Sequence, residues 1–299
     1  MRAFLLSPWL LGCFIALNAS ASASISVRDD YGNLVTLQQP AKRIISMAPH
    51  VTELLFAAGG GDWIVGAVSY SDYPEAAKRL PHIGDNRQVD MERIVATKPD
   101  LVVIWLHGSS ARQVEQLRQL GIPLFYSQPR KLDDIADSLV RLGYLLGTDQ
   151  KASEAAADLR QQLTALAMRY ENRSKVRMFY QVWDKPLYTL NGQHIVSDAI
   201  RLCGGDNIFA GAKATAPTVS VEAVLQENPE AIISTGERSP ADGGASLWKP
   251  YSMLTAVRRR NLMTIDGNLL NRPGPRMIAG TAALCDRLEQ VRLHRKTTQ

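Results

Sequence analysis

Residues 91–103, MERIVATKPDLVV, return in the same pattern at residues 221–233 as VEAVLQENPEAII. In both copies an apolar residue precedes Glu, two apolar residues follow one position later, and Pro, an acid and three apolar residues end the segment. The match needs no gap, and the two copies are 130 residues apart (221 − 91). A pattern repeated in this way predicts two related structural units in one chain.

Each copy has the pattern of a helix that leads into a buried strand. Asp90 and Ser220 precede the copies, and both residue types are favoured at helix N-caps. The apolar positions recur with helical spacing, and we expect Pro99 and Pro229 to end the helices because proline cannot continue one. The runs DLVVIW and EAIIST that follow are short and apolar, which is typical of buried parallel strands.

A second pair of segments supports the duplication. RIISMAP (43–49) and RMFYQVW (177–183) are typical of strands, and each is followed by a loop and a short predicted helix, at 52–60 and 197–205. We expect Thr52 and Ser197 to cap these helices, and a Gly pair to end each of them. The same order of elements thus occurs twice, which predicts the α/β fold class with two Rossmann-like lobes.

The segment 148–175 is expected to join the lobes as one long backbone helix. It has no Gly or Pro and is rich in strong helix formers, whereas flexible interdomain linkers are rich in Gly, Ser or Pro. A stiff connection would leave a ligand cleft between the lobes. The predicted organisation is an N-terminal lobe at 24–147, the helix at 148–175 and a C-terminal lobe at 176–299.

The N-terminus has the layout of a signal peptide. Arg2 precedes an apolar run at 3–17, and the small residues of NASASAS follow with A-x-A spacing. A membrane-spanning helix needs about 20 apolar residues, so this run is short for one. We expect residues 1–23 to be removed and the mature protein to be periplasmic; whether Cys13 is lipidated stays open.

Cysteine and charge content restrict the function further. Cys203 and Cys285 remain after the signal is removed, and an even pair in an oxidising compartment predicts a disulfide, with two buried free thiols as the alternative. No third Cys or nearby His pair suggests a metal site. The net charge is +5, and the one basic run, at 258–260, is interpreted as a solvated face, so no nucleic-acid partner is expected.

Seven short stretches, spread over most of the mature chain, resemble a known family in their order and spacing: TELLFAAG, SYSDYP, MERIVATKPDLVVIW, RQVEQLRQLGI, CGGDNIF, VEAVL and GPRMI. They resemble the helical-backbone class (class III) of bacterial periplasmic binding proteins, which deliver cobalamin, iron–siderophore complexes or haem to ABC importers. The similarity is greatest to the cobalamin-binding members. It implies a monomeric, non-enzymatic protein without a cofactor, which carries cobalamin or a related corrinoid to a permease–ATPase complex.

The resemblance implies a docking role for the Glu of each repeated segment. In the family, one Glu on each lobe contacts Arg residues of the two permease subunits, and the matching positions are Glu92 and Glu222. A permease with two-fold symmetry presents the same surface twice, so two equivalent anions suit it. A Glu in the first turn of a helix also stabilises the helix dipole, which is the alternative role.

Three aromatic residues are candidates for the ligand surface. The resemblance matches Tyr70 and Trp105 to residues of the cobalamin cleft, and Trp183 lies near an aromatic position in the second lobe. A flat macrocycle needs aromatic faces of this kind. Core packing is the alternative role for each.

Polar candidates come from loops predicted to face the same cleft. Arg272 matches an Arg that touches the ligand, and it could pair with a phosphate or carboxylate; a surface salt bridge is the alternative. Asn268 lies where the family has an Asp. His194 could bind a metal from one face or simply hydrogen-bond within its loop. Arg276 is expected to be structural.

Departures from the family pattern keep the cargo open. The cobalamin-binding members have Trp where this chain has Asn86 and Ala216, and Trp183 or Trp248 could replace them. The alternative cargo is haem, with Tyr70, His50 or His194 as axial ligand, or a ferric siderophore, which needs several basic residues. An approach of His50 to His194 would favour haem or a metal. Hydrolase motifs such as G-x-S-x-G and H-E-x-x-H are absent from the sequence, which argues against an enzyme.

Overall fold

The computed structural model describes residues 24–85, 88–236 and 244–297. The predicted signal peptide, with Cys13, and the position of Asn86 lie outside the described residues. Within those three ranges, no helix combines the length and the apolar character that crossing a membrane requires.

The first half of the described chain contains a four-stranded parallel sheet covered by helices. Its strand order is β4-β3-β5-β6, and a small antiparallel hairpin, β1-β2, precedes it. The strands are β1 (Ile25–Arg28), β2 (Leu34–Leu37), β3 (Ile44–Ser46), β4 (Ile64–Ala67), β5 (Leu101–Ile104) and β6 (Leu124–Tyr126). The helices are α1 (Pro49–Ala57), α2 (Met91–Ala96), α3 (Ala111–Gln119) and α4 (Leu132–Leu146).

The second half repeats this topology after the long helix α5 (Asp149–Tyr170). Its parallel sheet has the order β10-β7-β11-β12, so in both sheets the first strand in sequence lies between the second and the third. The strands are β7 (Val176–Gln181), β8 (Trp183–Asp184), β9 (Leu187–Tyr188), β10 (Gly205–Asn207), β11 (Ala231–Ser234) and β12 (Leu262–Thr264). The helices are α6 (Ile195–Leu202), α7 (Val221–Glu227), α8 (Thr255–Arg258), α9 (Gly267–Leu270) and α10 (Met277–Thr297).

The repeated segments form the predicted helix–strand pairs, α2 with β5 and α7 with β11. The Arg93 amide donates to the Asp90 carboxylate at 2.9 Å, and the Ala223 amide donates to the Ser220 hydroxyl at 3.1 Å. All four residues of each strand are buried. The predicted caps and buried parallel strands are therefore confirmed.

Helices α1 and α6 begin earlier than predicted. Helix α1 starts at Pro49, whose fixed φ suits the first helical position. Thr52 is buried inside the helix, and its hydroxyl is hydrogen-bonded to Ser46 at 2.7 Å. Helix α6 is capped by His194, and the Ser197 hydroxyl donates to the Asn191 carbonyl oxygen at 2.8 Å. The prediction that Thr52 and Ser197 are N-caps was wrong, because both lie inside their helices, where each hydroxyl bonds to a residue six positions back in the chain.

The predicted backbone helix is present as α5, with 22 residues. At about 1.5 Å per residue such a helix is about 33 Å long. One stripe of small and apolar residues, including Ala152, Ala156 and Leu159, is buried. The helix ends at Tyr170, five residues before the predicted end, where the Tyr170 hydroxyl donates to Asp286 of α10 at 2.7 Å. A turn over the following residues then leads into β7.

The predicted disulfide is present between Cys203, at the end of α6, and Cys285 in α10. Both cysteines are fully buried. The cross-link closes a separation of 82 residues, so it ties the last helix to the end of α6 within the second lobe. The free-thiol alternative is thereby excluded.

Candidate ligand cleft and docking glutamates

The predicted ligand residues lie where parallel strands end, which is where open α/β sheets bind ligands. Tyr70 follows β4 and Trp105 follows β5 in the first lobe, while Trp183 follows β7 and Arg272 follows β12 in the second. The two edges meet, because Arg272 forms a salt bridge with Asp72 of the first lobe. The structure thus places aromatic candidates at strand ends of both lobes and joins the lobes at Arg272.

Tyr70 has an unusual backbone. Its φ is 64° and its side chain is 78% exposed, and a bulky residue seldom adopts this left-handed conformation. Helix α1 anchors the loop, since the Thr52 hydroxyl donates to the Ser71 hydroxyl at 3.0 Å. Such strain at an exposed aromatic residue favours the hypothesis of a binding role over core packing.

Trp105 packs edge-to-face on His50, with ring centroids 5.6 Å apart. The indole is held close to Gly108, where an added Cβ would lie 2.1 Å from the ring, so this position requires glycine. The Trp105 Nε1 and the His50 Nε2 are buried without a hydrogen-bond partner among the described residues. Buried polar atoms nearly always have a partner, so these two mark a place where a further polar group is expected.

Two histidines at the cleft are held neutral. Burial lowers the pKa of His50 to about 3, and the positive charge of Arg272 adds to the effect. Burial lowers the pKa of His194 to about 4, with a smaller contribution from His107. His50 contacts Trp105, while the His194 Nδ1 accepts from the Val196 amide at 3.2 Å. Across the described ranges, no group of three or more potential metal-ligating side chains is found.

The depressed pKa values predict a loss of stability in mild acid. Below about pH 6.5 the unfolded imidazoles bind protons while the folded ones stay neutral, so the free energy of unfolding falls as the pH is lowered toward about 4. The buried His50 contributes about 1.4 kcal/mol per pH unit in this window. His50→Gln should reduce the slope by that amount in urea titrations at about pH 6 and about pH 5. An unchanged slope, equal to that of the surface variant His82→Gln, would contradict this prediction.

The other candidates have distinct surroundings. Trp183 is partly buried and its Nε1 donates to the Lys185 carbonyl oxygen at 3.0 Å. Asn268 is exposed in the first turn of α9, where its backbone N–H donates to the Asp266 carboxylate at 2.8 Å.

Trp248, considered as a replacement for an aromatic residue of the ligand surface, is fully buried, and its indole N–H donates to Gln181 at 2.6 Å. The idea that Trp248 lines the cleft was therefore wrong, since it is a core residue. Ala216, the position at which the cobalamin-binding members have Trp, is exposed.

A four-residue ionic cluster joins the lobes beside the cleft. The Arg276 guanidinium contacts the Glu53 carboxylate at 2.6 and 3.0 Å, and Arg272 contacts Asp72 at 2.6 Å and Glu53 at 3.5 Å. Burial alone would raise the pKa of Asp72, but the hydrogen bond and charge of Arg272 outweigh it and lower that pKa. Arg272 thus forms salt bridges, but its side chain is only 12% exposed, so they are not the surface salt bridge of its alternative role. The sequence did not predict Glu53 or Asp72 as its partners.

Glu92 and Glu222 occupy equivalent places in the two lobes. Each follows the N-cap by two residues, in α2 and in α7, and each side chain is exposed. Hydrogen bonds from its own backbone amide and from the Ser220 side chain lower the pKa of Glu222. The structure thus presents two carboxylates on topologically equivalent helices.

Comparisons with known proteins agree with this architecture. The family model described as periplasmic binding protein matches residues 44–269. A vitamin B12-binding protein of Vibrio parahaemolyticus is 36% identical over 265 residues, 89% of this chain and 96% of the relative. One of Yersinia pestis is 36% identical over 282 residues, 94% of this chain and 96% of the relative.

Solved structures show the same class III fold. The periplasmic vitamin B12-binding protein of Vibrio cholerae superposes with a TM-score of 0.79 at 37% identity, over 85% of this chain and 98% of that one. A periplasmic heme-binding protein of Roseiflexus has a TM-score of 0.73 at 26% identity, over 84% of this chain and 99% of that one. With both the family model and the curated relatives spanning most of its length, the chain belongs to the periplasmic binding protein family.

Proposed function

We propose that this protein binds cobalamin or a related corrinoid in the cleft between its lobes and delivers it to the permease of an ABC importer. The observation that carries the proposal is the 36% identity, over 89% of the chain, to a vitamin B12-binding protein. Family and relatives are transport binding proteins rather than enzymes. The corrinoid is the cargo, and no resident cofactor is part of the proposal.

The cleft supplies the groups that such a cargo needs. Tyr70 and Trp105 would offer aromatic faces from the first lobe, and Trp183 would offer one from the second. The Trp105 Nε1 and the His50 Nε2 are buried behind this surface, so a water or a side chain that shifts on binding would link them to the amide groups of a corrin.

Polar residues of the second lobe complete the proposed site. Arg272 and Asn268 would orient the cargo through hydrogen bonds. His194 is neutral at physiological pH, since its pKa is lowered to about 4, so it would act as a hydrogen-bonding group or as a metal ligand without first losing a proton.

Haem or a ferric siderophore is the second candidate cargo. Haem-binding proteins share the fold, including that of Roseiflexus at 26% identity, and Tyr70 or His194 could serve as an axial ligand. The match to the corrinoid binders is closer, at 36–37% identity. Among the described residues, Arg272 and Arg276 are both held in ion pairs, which disfavours an anionic siderophore.

Compartment and partner follow from the same proposal. Residues 1–23 would direct export and be removed, leaving a periplasmic monomer. Glu92 and Glu222 would each contact one permease subunit. Their places at the N-termini of equivalent helices support this arrangement.

Replacement of Trp105 tests whether the cleft is the binding site. Trp105→Leu should weaken cyanocobalamin binding at least about 30-fold, because a central aromatic contact contributes about 2 kcal/mol or more. Affinity can be measured by quenching of the remaining tryptophan fluorescence. Trp63→Leu is the matched control, since Trp63 lies directly before β4. It is therefore at the amino ends of the strands, whereas Trp105 is at their carboxyl ends. Equal affinities of the two variants would place the ligand elsewhere.

A further inference from the structure

We propose that Asp72 is a specificity-determining residue, which neutralises Arg272 at the cleft and so disfavours cargo that carries several negative charges. This inference rests on the proposed function, because it concerns the same cleft. It assigns Arg272 a different role from that of a free anion-binding cation.

The charges of the interlobe cluster balance within the protein. Arg272 and Arg276 supply two positive charges, and Glu53 and Asp72 supply two negative charges. All of the contacts are 3.5 Å or shorter. A ligand that reaches Arg272 therefore meets a neutral cluster rather than a positive one.

The two carboxylates differ in how easily a ligand could displace them. The Glu53 side chain is only 2% exposed and is bound by Arg276 through both oxygens. Releasing it would leave a buried charge without its partner, which is costly. The Asp72 side chain is 48% exposed, so Asp72 is the group with which an anionic ligand would have to compete.

The geometry still leaves Arg272 able to donate hydrogen bonds. Its contacts with Asp72 and Glu53 both use Nη1, and a guanidinium carries five N–H donors in a fixed fork. The remaining donors can serve a neutral acceptor such as an amide carbonyl oxygen. The cluster thus suits an amide-rich macrocycle better than a polycarboxylate.

The loop that carries Asp72 is anchored against displacement. The neighbouring Ser71 accepts a hydrogen bond from Thr52 at 3.0 Å, and the ring of Tyr73 lies 4.1 Å from the Arg276 guanidinium. An anion that replaced Asp72 would have to move this loop, and Tyr70 with it.

The Asp72→Asn variant tests the inference with two probes, haemin, which carries two carboxylates, and cyanocobalamin. We expect haemin to bind the variant about tenfold more tightly than the wild-type protein, since one unpaired charge is exposed near the surface. The gain should shrink as salt is added. In the double variant Asp72→Asn/Arg272→Gln the gain should disappear, because it acts through Arg272.

Glu75→Gln is the matched control, since it removes the same charge nearby while Glu75 pairs with Lys78 at 2.7 Å and not with Arg272. The inference is overturned if haemin binds Asp72→Asn no better than the wild-type protein, or if haemin binding is undetectable in both. It is also overturned if Glu75→Gln shows the same gain in haemin affinity. The proposed function fails separately, if the wild-type protein does not bind cyanocobalamin.

Discussion

Cells that carry the double variant Glu92→Ala/Glu222→Ala in place of the wild-type protein are expected to lose uptake of the cargo, while the purified variant keeps its cargo affinity. Both carboxylates are exposed on equivalent helices, α2 and α7, and no candidate ligand residue belongs to either helix. Under the docking proposal, each of the two substitutions removes one charged contact with a permease subunit. Uptake of labelled cobalamin and titration of the purified protein give the two readouts.

The matched control is Glu154→Ala/Glu171→Ala, which removes two exposed carboxylates at α5 and its C-terminal end. Its uptake should equal that of the wild-type protein. Single variants should each retain part of the activity, because one docking contact remains. Wild-type uptake by the Glu92/Glu222 double variant would show that these residues serve helix stability only.

The Arg276→Gln variant should lower the free energy of unfolding by about 3–5 kcal/mol, since it leaves the Glu53 carboxylate buried without its main partner. Arg272 is 3.5 Å from the same carboxylate and compensates only in part. Because the pair joins helix α1 to the residue directly before helix α10, the loss also removes a link between the lobes. Urea unfolding followed by circular dichroism measures the change.

Two further variants show whether burial is the cause. Glu53→Gln/Arg276→Gln should be less destabilised than Arg276→Gln, because no unpaired charge remains. Arg160→Gln breaks two contacts with Asp133 and Asp137, in which all side chains are more than 40% exposed, and should cost less than about 1 kcal/mol. Similar losses for Arg160→Gln and Arg276→Gln would refute this account of the buried pair.

Much of the fold could be predicted because it depends on local patterns. The repeated segments predicted the helix–strand pairs α2–β5 and α7–β11, because each has an N-cap, an apolar stripe with helical spacing and a proline after the helix. The absence of Gly and Pro at 148–175 predicted α5, and the pairing of the two cysteines followed from their even number.

Thr52 and Ser197 have the composition of caps, but their helices begin earlier, at Pro49 and Ile195. Their hydroxyls bond to residues six positions back in the chain. The other features that the sequence did not reveal depend on contacts between residues far apart in sequence. Trp248 could line either a cleft or a core, and only the packing against Phe179, with ring centroids 5.6 Å apart, decides for the core.

The ionic cluster is the clearest such case in the candidate site. Glu53 and Arg276 are 223 residues apart in sequence, and nothing local marks them as partners. One local signal was available for the cluster: Asp72, the Asp of SYSDYP, lies two positions after the candidate Tyr70.

Isothermal titration of the mature protein with cyanocobalamin, with haemin and a ferric siderophore in parallel, tests the central claim most directly. The account predicts submicromolar binding of cyanocobalamin at a stoichiometry of about one, and much weaker binding of the two anionic ligands. Tight binding of haemin or the siderophore without binding of cyanocobalamin would contradict the claim that the cleft carries a corrinoid.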